Sequence, residues 1–374
     1  MARWESEYTA ALIGCGRIGY SLGLDKKREQ PASHTMALQA NTAIRLVCGC
    51  DTNSLTLDQW HKANKKCQVY TNSANLYARH KPEIIVIAVN ENAHLKETLD
   101  AIATNPKLII LEKPVALNMA EAMCIKDAAQ SHNVPILVNH ERRFSDDYNF
   151  VKSILAEIGP LQSINASLFS GMRVFSEKEE TTGNYSLLHD GTHLIDIVLF
   201  LLEDEEASTV KNLNELKTAG GLLQAASLFK TKERLLNSIL YHPVISGLKR
   251  DEEKNVRNLS AHYKTQKCPD VTITINGSSK YFGFDIDIRG SEGRILIGNG
   301  YFKLFRRQES KLYSNFYSLE EDKSVKVPKK TGFFSNMVQN AVDFLDGEAQ
   351  LKSSLQNGIN ALAVIDEIKD SIRM

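Results

Sequence analysis

The chain has 374 residues, 43% of them apolar and 24% charged, with 45 basic side chains balanced by 45 acidic ones. That neutral balance gives no electrostatic reason to bind nucleic acid or an anionic membrane, and the length accommodates two domains. No apolar run approaches the roughly 18 residues of a membrane span. The N-terminal MARWESEYTA lacks the apolar core of a signal peptide, and the six cysteines contain no CxxC pair. A cytoplasmic protein with reduced thiols and no metal site is expected.

Residues 8–13, YTAALI, read as a short strand ending in GCGRIG, Gly14 to Gly19. A GxGxxG turn between a strand and a helix suits a dinucleotide pyrophosphate. Its glycines allow a tight turn and close backbone approach, and the helix N-terminus faces the anion. Here the helical pattern, HTMALQANT, is delayed by residues 20–33, YSLGLDKKREQPAS. That polar insertion is either a lid or substrate-contacting loop, or a solvated excursion. The second strand, AIRLVCGC, ends at Asp51. A carboxylate there hydrogen-bonds the adenosine ribose of NAD and repels the extra phosphate of NADP; it also suits a cap for the helix in DTNSLTLDQWHKAN. Thr52, Asn53 and Ser54 include no arginine to bind a phosphate, so NAD is favoured over NADP.

KPEIIVIAV (81–89) and KLIIL (107–111) are continuous apolar runs, the pattern of strands buried on both faces of a parallel sheet. Helical patterns follow in NENAHLKETLDAIATN and, after Glu112-Lys113-Pro114, in VALNMAEAMCIKDAAQ. VPILVNHERRF (134–144) supplies another strand with a polar end. Alternating strands and helices predict a Rossmann-type, doubly wound α/β parallel sheet over residues 1–144, with ligands at the carboxyl ends of the strands. Those ends carry GCGRIG, Asp51, Asn90 to His94, Glu112-Lys113 and Asn139 to Arg143.

Beyond Phe144 the pattern changes. DDYNFVKSILAEIG reads as a helix and GPLQSINASLFSGM as the first strand of a new sheet. SLLHDGTHLIDIVLFLL (186–202) reads as one helix, which places His189, His193 and Asp196 on one face with Asp190 beside them. Burying that many titratable groups is costly unless they are partnered or useful, which points to a catalytic base. From about 206 to 330 the segments are strand-like: VKNLNEL, LLQAASLF, ERLLNSILYH, DVTITIN, YFGFDIDIRG, GRILIGN, YFKLFRR and LYSNFYSL. VRNLSAHYKTQKCPD fits either class. An α+β open-faced sheet domain is expected over 145–332. Two helices in 333–374 are expected to pack back on the core, the second capped from Ser353-Ser354.

GCGRIG, VIAVNENAH, LEKPVALN, VNHERRF and LLHDGTHLIDI, with YFGFDIDIRGSEGRILI and ALAVIDEIKDS, follow one another at the spacing of a known family. Through them the chain resembles the glucose–fructose oxidoreductase / inositol dehydrogenase (Gfo/Idh/MocA) family over nearly its whole length. EKP together with GxHxxD is the specific part. The resemblance implies a Rossmann domain and an open-faced sheet domain that forms homodimers or homotetramers. It also implies hydride transfer between NAD(H), or NADP(H), and a secondary hydroxyl or ketone of a sugar, sugar phosphate or cyclitol. The implied cofactor contacts are Gly14, Gly16, Arg17, Ile18, Gly19, Asp51, Thr52, Val89, Asn90, His94, Glu112 and Lys113.

The family lysine of EKP matches Lys113, and the histidine of GxHxxD matches His193. A near-neutral histidine suits the base that takes the alcohol proton. A lysine on the same oxygen stabilises the developing alkoxide, and Pro114 restricts Lys113 toward extended backbone. The family aspartate four residues before the histidine is replaced here by His189, with Asp190 next to it. Asp190 takes over that role, or His189 contacts substrate or is itself the base, or His189 is a polar group at a helix start. Arg142 and Arg143 bind an anionic substrate group, or pair with Glu141, Asp146 or Asp147. Asp196 reads as structural, and His140 as a candidate cleft residue. Two alternatives to a dehydrogenase are a nucleotide-binding regulatory homologue without turnover and an oxidoreductase that retains its cofactor.

Overall fold

The computed structural model describes residues 7–203, 241–328 and 330–373, with no description of the side chains of 241 and 242. VKNLNEL, LLQAASLF and most of ERLLNSILYH lie outside the described residues. The chain divides into two compact units. One comprises Met1–Tyr148, Thr181–Gly183 and Lys329–Leu362; the other comprises Asn149–Glu180, Asn184–Pro328 and Ala363–Met374.

The first unit holds six parallel strands: β1 (Tyr8–Ile13), β2 (Ile44–Cys50), β3 (Gln68–Tyr70), β4 (Ile84–Ile87), β5 (Leu108–Leu111) and β6 (Ile136–Val138). Their order is β3-β2-β1-β4-β5-β6. The direction of winding reverses at β1, between β2 and β4, and ligands of such sheets bind beyond the strand ends at that switch. Ile13 pairs with both Cys50 and Ile87, so Gly14, Asp51 and Ala88 leave the sheet at one level. β4, β5 and β6 are buried along their whole length, which explains their unbroken apolar sequence. The connecting helices are α1 (His34–Ala40), α2 (Ser54–Ala63), α3 (Ser73–Arg79), α4 (His94–Ile102) and α5 (Met119–His132). Ser33, Asn53, Asn72 and Asn118 cap α1, α2, α3 and α5 by accepting backbone N–H bonds. β3 and α3 lie in KCQVYTNSANLYARH, which is too short and polar to show a hydrophobic period.

The second unit is built on an eight-stranded sheet. Its strands are β7 (Leu161–Phe169), β8 (Tyr241–Arg250), β9 (Val256–Lys264), β10 (Val271–Asn276), β11 (Gly283–Gly290), β12 (Gly293–Gly298), β13 (Tyr301–Glu309) and β14 (Tyr317–Glu321). The order is β14-β13-β12-β11-β7-β10-β9-β8, antiparallel except where β7 meets β10. Alternate residues bury one face: Ile164, Ala166 and Leu168 lie beside Val271, Ile273 and Ile275 on one side and Phe284, Ile286 and Ile288 on the other. Asn165, Thr274, Asp287 and Arg294 point to the opposite, more open face.

The buried face is covered by a helix, though not by the single one expected over 186–202. α6 (Asp146–Ile154) comes first in the chain, then α7 (Ser186–His189) and α8 (Gly191–Leu202), the last two separated by a turn at Asp190. The Asp190 N–H donates to the Ser186 carbonyl and the His193 N–H to the Asp190 carbonyl, a change from four-residue to three-residue spacing at the turn. Gly191 explains the close seating of α8 on the sheet: a Cβ there would lie 3.1 Å from the Ile275 side chain and 3.0 Å from the Ser186 carbonyl oxygen. Every residue of α8 is buried, as its apolar run requires. VRNLSAHYK resolves as β9. In LYSNFYSL the strand begins only at Tyr317; the residues before it turn through Asn315, whose φ is +64°.

The chain closes with α9 (Phe333–Leu345) and α10 (Leu355–Arg373). Phe334, Met337, Val338, Ala341 and Val342 of α9 join the core formed with Leu38, Ile84 and Leu137. At the start of α10 the Ser354 N–H donates to Asn357 Oδ1 and the Asn357 N–H to Ser354 Oγ, a reciprocal cap.

Candidate active site

In the first unit the glycine turn divides its work. At Gly14, φ is +95°, and a Cβ would lie 2.3 Å from the Ala88 carbonyl oxygen; at Gly19 it would lie 2.1 Å from the Gly14 oxygen. Both contacts are with backbone, so neither glycine can be replaced without moving the turn. A Cβ at Gly16 would meet nothing within 4 Å. The middle glycine therefore leaves its backbone approachable, as a pyrophosphate requires, and the turn fits a dinucleotide. Asp51 braces it: Oδ2 accepts from the Cys15 N–H at 2.9 Å and Oδ1 from the Asn53 N–H at 2.9 Å. The side chain that caps α2 is that of Asn53, not Asp51. Arg17 and Thr52 are exposed and Ile18 is half-buried.

The insertion at 20–33 sits between a turn after the glycines and α1, whose first residues bond back to that turn. The Tyr20 N–H donates to the Gly16 carbonyl and the Leu22 N–H to the Arg17 carbonyl, a first helical turn. After the loop, the His34 N–H donates to the Ile18 carbonyl at 3.1 Å and the Thr35 N–H to the Gly19 carbonyl at 2.9 Å. The loop is tethered through Glu29, whose carboxylate accepts from the Thr331 N–H and hydroxyl and the Gly332 N–H at 2.8–2.9 Å. Burial pushes the Glu29 carboxyl up, but these three bonds, with Lys330 nearby, hold it below the usual carboxylate range.

The strand ends beyond β4, β5 and β6 form a second group. His94 is fully buried, its Nδ1 2.7 Å from the Pro114 carbonyl oxygen and its Nε2 3.2 Å from that of Val89. Burial lowers its pKa and favours the neutral ring. Glu112 accepts at one oxygen from His34 Nε2 and Asn139 Nδ2, each at 2.7 Å. Burial alone would raise the Glu112 carboxyl. The His34 bond and charge, the Lys113 charge and the Asn139 bond bring it below the usual range instead. Lys113 is half-buried between them, and its bond to Pro114 is cis. Val89 is half-buried and Asn90 exposed. Arg142 pairs with Glu141 at 3.2 Å. Arg143 is 1% exposed and donates to the Lys352 carbonyl, and His140 is equally buried. His34 gave no local sequence signal, and Asn139 was marked only by its place at a strand end, since their partner lies 78 and 27 residues away.

In the second unit, His193 sits in the first turn of α8 and is 9% exposed, while Asp196 one turn later is 1% exposed. His189 ends α7 and Asp190 occupies the turn, both half-buried. Because the helix breaks at Asp190, His189 does not sit one regular turn before His193.

Residues 8–140 match the oxidoreductase family with an NAD-binding Rossmann fold. The chain is 27% identical over 143 residues to the scyllo-inositol 2-dehydrogenase (NADP(+)) IolW of Bacillus subtilis, an alignment covering 37% of this chain and 39% of that protein. It is 24% identical over 212 residues to the D-apiose dehydrogenase of Rhizobium rhizogenes, covering 55% and 57% respectively. The chain thus spans well under two thirds of either relative. Over nearly its full length it shares the fold of an oxidoreductase from Agrobacterium radiobacter, solved in complex with NAD+, L-tartaric acid and magnesium. There the TM-score is 0.70 at 17% identity, over 98% of this chain and 97% of the other.

Proposed function

We propose, from the chain's membership of the Gfo/Idh/MocA family of oxidoreductases, that it is an NAD(H)-dependent dehydrogenase. Its proposed substrate is a secondary hydroxyl or ketone of a sugar, sugar phosphate or cyclitol. The observation that carries this reading is the glycine turn, open at Gly16, packed at Gly14 and Gly19, and braced by Asp51. A nucleotide bound there supplies the hydride acceptor or donor. Backbone N–H groups of Gly14 to Gly19 would hold its pyrophosphate, and Asp51 its ribose. The absence of arginine in 52–54 supports NAD. The relative IolW is named for NADP(+), so both nucleotides belong in the test.

In this proposal Lys113 donates a hydrogen bond to the substrate oxygen and stabilises negative charge as the proton leaves. His193 accepts that proton as a neutral base. Asp190 or His189 orients the base or contacts substrate. The burial of Arg143 and its bond to a backbone carbonyl support a scaffolding role for it, as does the enclosure of His94. Exposed Tyr281, Tyr301, Tyr317 and Leu319 support self-association through the second-unit sheet, which sedimentation velocity measures directly.

Titration with NADH and NADPH, read by nucleotide fluorescence, followed by a polyol and sugar-phosphate panel read at the nicotinamide absorbance, tests the function. Tight NADH binding with turnover of a panel member supports it. Absence of nucleotide binding overturns it.

A further inference from the structure

We propose that Lys113 is aimed by a bracket of buried groups: Glu112, fixed by His34 and Asn139, and Pro114, fixed by His94, are positioning residues for the lysine between them. This rests on the assignment of Lys113 to the substrate oxygen and adds what holds it there.

A lysine has four rotatable side-chain bonds, and ordering it costs conformational entropy. A strand end leaves such a chain undirected unless its neighbours are immobile. Both neighbours of Lys113 are. Three parts of the first unit converge on residues 112–114: His34 from α1, His94 from α4, and Asn139 just beyond β6. Each contact is buried, and the Glu112 side chain is only 8% exposed.

The chemistry of the Glu112 contact is informative. Among the described residues, His34 Nδ1 has no hydrogen-bond partner, while Nε2 lies 2.7 Å from the carboxylate and donates to it. Asn139 presents its amide N–H₂ to the same oxygen. Two donors thus fix one carboxylate oxygen. A glutamine would fill the same space and accept the same two bonds without the cost of burying an anion. The retained negative charge is therefore the distinctive feature, and Lys113 is the cation next to it in sequence that acts on it electrostatically. Among the described residues, His34, His94 and Glu91 are further charged or titratable groups that act in this region. The bracket thus fixes the lysine backbone from both sides and supplies a fixed counter-charge.

The test uses the full-length protein and four variants: Glu112→Gln, His34→Gln, His34→Ala and Lys113→Ala. The first readout needs no substrate: the rate at which acetic anhydride acetylates Lys113, followed by peptide mass spectrometry, with exposed Lys62 and Lys81 as internal references. The anhydride attacks only an amine it can reach, so the rate reports how firmly the Lys113 side chain is held. In Glu112→Gln, Lys113 labelling is expected to rise at least fivefold relative to the reference lysines. His34→Ala is expected to follow it, while His34→Gln, which keeps an N–H donor, stays within twofold of wild type. The second readout uses whichever polyol the wild type oxidises: kcat falls at least tenfold in Glu112→Gln while KM stays within threefold. Wild-type labelling and kcat in Glu112→Gln overturn the bracket. Should Glu112→Gln not fold, the contrast between His34→Ala and His34→Gln decides it: equal Lys113 labelling in the two overturns the bracket. Full turnover by Lys113→Ala overturns the functional assignment instead, and the labelling result still decides the bracket on its own.

Discussion

Gly14 and Gly16 stand two residues apart and should respond to alanine in opposite ways. At Gly14 the φ of +95° is one an L-residue seldom adopts, and the added carbon would sit 2.3 Å from the Ala88 carbonyl oxygen and 2.5 Å from its carbon. Backbone strain of about 1–3 kcal/mol and overpacking of about 1–3 kcal/mol give about 2–6 kcal/mol of destabilisation. At roughly 2–4 °C per kcal/mol, Gly14→Ala should melt about 4–24 °C lower. At Gly16 the added carbon meets no protein atom within 4 Å, and its φ lies outside the left-handed range. Gly16→Ala should therefore stay within about 0.5 kcal/mol of wild type. Its cost falls on the ligand, because the methyl occupies the approach to the backbone N–H groups. Losing one charge-assisted hydrogen bond, about 1.5–3 kcal/mol, weakens NADH by about 10- to 100-fold. Thermal melts without nucleotide and NADH titrations at 25 °C read the two effects separately. Wild-type NADH affinity in Gly16→Ala would refute the cradle, and a wild-type melt in Gly14→Ala would refute the packing described for the turn.

Three further outcomes follow from buried polar groups. The folded-state pKa of Glu29 lies below its unfolded value, so its contribution is complete above about pH 4.3 and is lost as pH falls through the folded value. Glu29→Gln should thus cost about 1 kcal/mol at neutral pH and nothing at the acid end of a melting series, whereas a pH-independent difference would contradict the tether. Arg143→Ala removes a buried guanidinium and its bond to the Lys352 carbonyl; urea unfolding should show a loss of about 2–4 kcal/mol with NADH affinity of the folded protein unchanged. Asp51→Ala leaves the Cys15 N–H without its acceptor, which should lower stability by about 1–3 kcal/mol and weaken NADH at least tenfold; an unchanged melt would show that the brace carries nothing.

The parallel sheet was legible because IIVI and LIIL are buried on both faces and nothing polar interrupts them. The open sheet was legible from DVTITIN and FDIDI, whose alternation matches their alternating burial. β3 was not, because an edge strand of three polar-flanked residues carries no period. The break at Asp190 was not, because 3.6-residue spacing describes a continuous helix and says nothing of where a turn intervenes. In the nucleotide turn, GCGRIG identified the position, but only coordinates separate a glycine packed against backbone from one that faces open space. The bonding of α1 back to the turn after the glycines, and the pairing of His34 with Glu112, depend on contacts distant in sequence. Arg143 drew notice as an arginine beside a strand end; its burial and its contact with the Lys352 carbonyl depend on a residue 209 positions away and carry no local signal.

The most direct test of the account is oxidation of a defined panel by purified wild type, Lys113→Ala and His193→Ala in parallel. The panel contains scyllo-inositol, myo-inositol, D-apiose and glucose 6-phosphate, each with NAD and with NADP. The account predicts nicotinamide reduction by wild type with at least one panel member. It also predicts a loss of at least about 100-fold in kcat for each variant, with NADH affinity retained within a few-fold. Turnover by Lys113→Ala at the wild-type rate, or a wild type that binds NADH and converts none of these compounds, would contradict it.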